Sequence, residues 1–185
     1  MHNPHTHLKY LETELNLEKF RLETLPRIDS NTEDFEPRYR TLSCEKEGFK
    51  LIISQGCIFY SDKNSDYRDE YIVHNNVPEC RHLLDMVAFY HMSLKTLDFC
   101  DIIEVGSNVN NVHALYISVP FFLPSHINNV EEQGITLQLK WLMPISKHEC
   151  EFIRREGAVV FEDRLFASRY DFFDPRPNGN YLDVT

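Results

Sequence analysis

The chain has 185 residues, 42% hydrophobic and 26% charged, a composition that suits one globular domain with a real core and excludes disorder as the default state. Its 29 acidic residues against 19 basic ones give a formal net charge of −10, which repels phosphate backbones and anionic membranes and attracts basic proteins. Five widely spaced cysteines with no CxxC argue against a disulfide framework or a zinc knuckle, and no apolar run approaches the roughly 20 residues that cross a bilayer.

Leu8, Leu11, Leu15, Phe20 and Leu22 recur at about helical spacing. They predict a first helix from His7 to Arg21, inside an N-terminal segment 1–25 that Pro26 ends. Asp29 to Pro37 is polar and turn-rich, which predicts a loop. Gly48 opens a strand over Phe49–Ser54, and Gly56 separates it from Cys57–Tyr60, so the two form a hairpin or a bulged strand. Ser61–Arg68 reads as a polar loop and Asp69–His74 as a strand in which Tyr71 and Val73 alternate against Ile72.

A second helix starts at Pro78-Glu79, since proline suits a first turn and an acid suits the positive end of the helix dipole. Leu83, Val87, Tyr90 and Leu94 form its buried stripe, widened by Leu84, Ala88 and His91. Asp101–Val105 is a short strand closed by Gly106-Ser107-Asn108. Val112–Val119 is nearly all apolar and rich in branched and aromatic side chains, the pattern of a central strand. Phe121–Gly134 reads as a loop. In the strand that follows, Ile135, Leu137, Leu139, Trp141 and Met143 share one face and Thr136, Gln138 and Lys140 the other, until Pro144-Ile145 stops it. Ser146 and Glu149 then form a capping box for a last helix that runs to about Ala167, with Cys150, Ile153, Val160, Phe161 and Leu165 inward. Gly157 interrupts that pattern, so either the helix bends there or something packs closely on it. Asp171 to Tyr181 is extended or turn-like. The economical fold class is α/β (α+β), a mixed, largely antiparallel sheet packed with helices.

Chemistry is harder to find. The six glycines write no phosphate loop, and neither a GxSxG elbow nor an HExxH is present. His2, His5 and His7 invite adventitious chelation near a chain end. His113 reads as a hydrogen-bonded strand histidine. Cys150 has His148 two positions away, and residues two apart on a helix do not face each other. The expectation is therefore no catalytic residue, no cofactor and no metal. A site scattered in sequence would need a deep polar pocket around His113 or Cys150. Buried free thiols and the lack of a signal-peptide pattern at Met1 make the cytoplasm the expected compartment.

The run Leu139 to Gly157, an apolar strand, Pro144-Ile145-Ser146, Glu149 and a helix containing a glycine, followed by Asp174-Pro175-Arg176, resembles the end of the suppressor-of-fused (SUFU) domain. The middle is also similar: a strand Tyr71–His74, a Leu-Leu-x-x-Val-Ala-x-Tyr helix over Leu83–Tyr90, an Ile-Ile-Glu-Val-Gly stretch over Ile102–Gly106, and an apolar strand Leu115–Pro120. The resemblance covers residues 40–177 and is sharpest over 135–177, leaving 178–185 as a tail. The chain departs from it where Pro177-Asn178-Gly179 follow Arg176, and around residues 54–62, which hold only Gly56.

The resemblance implies a single SUFU-like domain over 1–185 that binds protein and does no chemistry. Short bacterial members resemble immunity proteins, or antitoxins, that neutralise a polymorphic toxin. The expected partner is thus a cognate toxin, basic in charge, with neither nucleic acid nor membrane bound. The alternative is a regulatory or scaffold binder of a cellular protein such as a transcription factor. Candidate partner-contacting residues are the acids of two polar segments: Asp66, Asp69 and Glu70 in Asp62–Glu70, and the Glu131-Glu132 turn.

Overall fold

A strand as apolar as Val112–Ser118 must be covered on both faces, and that requirement sets the architecture. The structure, a computed structural model, describes residues 21–24, 40–46, 49–55, 57, 66–74, 79–92, 97–109, 112–123, 125–132, 135–168 and 182. The strands are β1 (Arg21–Thr24), β2 (Arg40–Lys46), β3 (Phe49–Gln55), β4 (Tyr67–His74), β5 (Ile102–Val109), β6 (Val112–Ser118), β7 (Asn129–Glu132) and β8 (Ile135–Ile145). The helices are α1 (Cys80–Met92), α2 (Ser125–Asn128), α3 (Lys147–Glu156) and α4 (Ala158–Ala167).

All eight strands join one sheet in the order β1-β2-β3-β4-β8-β6-β5, with β7 beside β8. Every pairing is antiparallel except β4 with β8. This is the mixed, largely antiparallel α+β architecture that the pattern predicts. β8 organises it: β4 runs along one edge from Thr136 to Trp141, while β7 takes Ile135–Gln138 and β6 takes Trp141–Ile145 on the other.

Strict alternation divides the interior in two. On one face Leu51, Ile53, Ile72, Ala114, Tyr116, Leu139, Trp141, Met143 and Ile145 meet Cys150, Phe152 and Ile153 of α3 and Phe161 and Leu165 of α4. On the other, Ile52, Tyr71, Val73, Leu115, Ile117 and Leu142 meet Leu83, Leu84, Val87 and Ala88 of α1. Trp141 has no exposed surface and sits edge-on to Phe122 and His74 at 5.3 and 5.8 Å between ring centres. Leu137 is buried but belongs to neither group.

The capping box forms as the residues require. Glu149 N donates to Ser146 Oγ at 3.2 Å, and Ser146 N donates to Glu149 Oε2 at 2.6 Å. The last helix, however, is two helices. Gly157 has φ 92° and ψ 159°, so α3 ends and α4 begins there. Nothing lies within 4 Å of where its Cβ would be, so backbone freedom, not close approach, is why glycine stands here. The break turns Val160 outward, where a continuous helix had placed it inside.

Other boundaries also differ from expectation. Arg21 and Leu22 belong to β1, not to a helix; the rest of that helix and the Asp29–Pro37 loop lie outside the described residues. β3 pairs with β2, which the sequence did not announce; Cys57 lies in a 3₁₀ turn, and the rest of the expected strand to Tyr60 falls outside the described residues. Tyr67 and Arg68 extend β4. Glu79 has φ 56° and caps α1 through its carbonyl, which accepts from Leu83 N at 3.0 Å, so α1 starts at Cys80. β5 runs on through Gly106-Ser107-Asn108, and β8 continues through Pro144-Ile145. The expected loop 121–134 contains α2 and β7. Of the described cysteines, Cys57, Cys80 and Cys150 are buried as expected, whereas Cys100 is exposed.

Candidate functional site

The two acidic segments, 60 residues apart in sequence, meet at one end of the sheet. Thr136 near the start of β8 is the register partner of Tyr67 on β4 and of Glu131 on β7. Paired residues point to the same face, so Tyr67, Thr136 and Glu131 form one row across three strands. Thr136 N also donates to Asp66 O at 2.8 Å, which fixes Asp66 beside that row. Asn129 and Gln138 extend the row, with Gln138 Nε2 donating to Asn129 Oδ1 at 3.4 Å. Asp66, Tyr67, Asn129 and Glu131 are exposed, Tyr67 by 52%. The result is an exposed tyrosine at one end of the sheet, with exposed Asp66 just before it in the chain and exposed Glu131 two strands away. Tyrosine supplies much contact area at low entropic cost, and acids at its rim select a basic partner.

Asp69 and Glu70 do not belong to that surface. They are 8% and 1% exposed, which corrects the expectation that both face solvent. Lys140 Nζ, itself buried, donates to Asp69 Oδ2 at 2.8 Å and to Leu97 O at 2.5 Å, and lies 5.3 Å from the centre of the Phe99 ring. Ser54 Oγ donates to Glu70 Oε2 and accepts from Tyr71 N at 2.7 Å. Tyr71 Oη and His91 Nδ1 share a hydrogen bond of 2.9 Å. Burial holds the Tyr71 phenol and the Cys57 thiol protonated and pushes the His91 imidazole toward its neutral form. These groups lock β4 to β8 and to the residues around Leu97. Removing either charge of the Asp69–Lys140 pair would strand the other at a cost of about 3–5 kcal/mol. Glu132 pairs with Ile135 within β7 and β8, a strand rather than a turn.

A second exposed surface is apolar. Val159, Val160 and Phe166 line the outside of α4, and Phe121 stands edge-on to Phe166 with ring centres 4.5 Å apart. On the inner side of the same helix, Glu162 accepts from Tyr116 Oη at 2.8 Å and Ser118 Oγ at 3.3 Å.

A groove among the described residues lies close to His113 and Cys150 through Glu104. The nearby groove, about 380 Å³, is lined by Tyr90, Leu97, Asp101, Ile102, Ile103 and Glu104, and by neither of those two residues. A carboxylate oxygen of Glu104, a ring nitrogen of His113 and Cys150 Sγ do lie within 4.8 Å of one another. Sequence reasoning singles out His113 and Cys150 separately but not Glu104 or the trio, because β5, β6 and α3 each supply one member. Tyr67 was missed for a different reason. Its signal was an aromatic residue alone in a polar segment, but reading Ser61–Arg68 as a loop hid the strand that displays it.

No protein-family model matches the sequence, and no curated protein matches it. Solved structures do. A SUFU (suppressor of fused protein) homolog from Neisseria gonorrhoeae FA 1090 superposes with a TM-score of 0.73 over 92% of this chain and 92% of that one, at 16% identity. A chain of the Sufu–Fu complex superposes with a TM-score of 0.63 over 96% of this chain and 91% of that one, at 12% identity. The chain has a SUFU-like fold.

Proposed function

We propose that this chain is a non-catalytic protein-binding domain acting as an immunity protein, which holds a cognate basic toxin through the surface around Tyr67. The observation that carries the reading is the meeting of Asp66, Tyr67 and Glu131 across β4, β8 and β7. β4 and β7 carry Tyr67 and Glu131, and the bond from Thr136 N holds the Asp66 backbone, so little backbone ordering entropy opposes binding. The net charge of −10 steers a basic partner toward the surface. Many toxins act on nucleic acid through basic grooves, and an acidic protein seated in such a groove blocks substrate without chemistry of its own. The SUFU-like fold supports a binding role, since one structural neighbour comes from a complex of Sufu with Fu. This reading calls for the cytoplasm as the working compartment; no helix among the described residues is long and apolar enough to cross a membrane.

The test is genetic and cheap. The product of the adjacent open reading frame is expressed alone and with this chain. Growth inhibition that this chain relieves, and that the Asp66→Asn/Tyr67→Ala double variant relieves poorly, is the expected result. A neighbour that neither inhibits growth nor binds would end the immunity assignment. The second reading, a regulatory binder of a cellular protein, draws on the apolar outer face of α4 with Phe121. It predicts one regulatory protein captured from the source cell, with capture lost on Phe166→Ser and kept on Tyr67→Ala.

A further inference from the structure

Glu104, His113 and Cys150 come from three elements that the sheet and the capping box bring together. Glu104 is on β5, His113 is the second residue of β6, and Cys150 is in the first turns of α3. In a regular ladder, the pair Glu104–Ala114 would be followed by Val105 opposite His113, and His113 would point away from the face that carries Glu104. The ladder is not regular there. The β5–β6 register shifts between Glu104 and Val109, and the irregularity turns His113 back to Glu104 and Cys150. Bulges of this kind recur where a strand re-aims a side chain for function.

We propose that Glu104, His113 and Cys150 bind one divalent ion of the Zn²⁺ class, clasping the β5 edge of the sheet to α3. The donor set is one carboxylate oxygen, one imidazole nitrogen and one sulfur, which suits a borderline-soft ion and not Mg²⁺ or Ca²⁺. A tetrahedral ion with bonds of about 2.0–2.3 Å sets its ligand atoms about 3.3–3.8 Å apart. The present limit of 4.8 Å asks for a closure of about 1 Å, within the reach of side-chain rotation at exposed Glu104 and half-buried His113. Exposed Glu104 gives the ion a path from solvent, and a water completes the fourth position.

Arg154 is the group that opposes the ion. Its Nη2 donates to Glu104 Oε1 at 2.5 Å and holds that carboxyl below its usual range. The pair is exposed, so Arg154 can keep Oε1 as an outer partner while Oε2 turns to the ion. Burial pushes the Cys150 thiol above its ordinary range and the Arg154 cation only partly offsets this, so the proton leaves to solvent on coordination and not before.

The experiment is a Co²⁺ titration of the full chain with His2, His5 and His7 changed to Ala, so that the N-terminal imidazoles contribute nothing. One equivalent should raise a thiolate-to-Co²⁺ charge-transfer band and intense four-coordinate visible bands, and Zn²⁺ should remove both. Cys150→Ser should abolish the charge-transfer band. Glu104→Gln, at an exposed position that leaves the fold intact, should weaken binding by about tenfold or more, as should His113→Ala. The proposal is overturned if no charge-transfer band forms, if the band survives in Cys150→Ser, or if Glu104→Gln binds Co²⁺ as the parent does.

Discussion

Replacing Gly157 by alanine separates two accounts of the last helix by sign. If residues 147–167 were one continuous helix, alanine would gain about 1 kcal/mol over glycine through helix propensity. The structure places Gly157 at φ 92°, ψ 159°, a region open essentially to glycine alone, so alanine should cost about 1–3 kcal/mol. No neighbouring atom adds to that cost, because a Cβ would meet nothing within 4 Å. Nor is relief by unwinding available. Gly157 N donates to Ile153 O at 2.8 Å and Gly157 O accepts from Phe161 N at 3.2 Å, so helix is held on both sides. Buried Ile153 and Phe161 anchor those two turns in the core. Urea unfolding of the two proteins gives the difference from the midpoints at unchanged slope. A variant as stable as the parent, or more so, would refute the break.

Trp141→Ala should cost about 3–5 kcal/mol, since the side chain has no exposed surface and lies between the sheet and α3 and α4; a loss under about 1 kcal/mol in urea would mean that the face is misassigned. Ser146→Ala should cost about 0.5–2 kcal/mol by removing the bond from Glu149 N, and an unchanged midpoint would contradict the cap. Burial pushes the Asp85 carboxyl up to about 6, so the folded state binds its proton more readily than the unfolded state. Its stabilising contribution is therefore present at low pH and lost as pH rises from about 4 to about 6, and Asp85→Asn should gain on the parent across that window. His91 acts oppositely. Burial lowers its pKa, with Asp69 raising it and Lys140 lowering it further, so stability should fall as pH drops below about 6.5.

Local pattern carried the parts of this fold that local physics decides. The alternation of Leu139, Trp141 and Met143, the apolar run at Val112–Ser118 and the Ser146–Glu149 box each fold as written, because burial period and capping chemistry are legible within a few residues. β1, β2 and β7 were not legible. Arg-Leu-Glu-Thr and Asn-Val-Glu-Glu carry too little apolar surface to announce a strand, and only their partners in the sheet make them strands. Asp69 reads in sequence as an exposed acid at the start of a strand, because the lysine that neutralises it comes 71 positions later. Glu104, His113 and Cys150 were invisible as a group for the same reason. The convergence of Asp66 and Glu131 was half legible. Each segment was chosen for its polarity, but their meeting depends on the parallel pairing of β4 with β8, a contact without local signature.

The most direct test of the proposed function is the association and dissociation of the purified chain and the adjacent gene's product, measured at low and physiological salt. The account predicts an association rate that falls by about tenfold or more as salt rises, and falls less in Asp66→Asn/Glu131→Gln. It also predicts that Tyr67→Ala speeds dissociation by about thirtyfold, the effect of losing an interface anchor worth about 2 kcal/mol. An association rate indifferent to salt, together with a Tyr67→Ala variant that dissociates as the parent does, would contradict it.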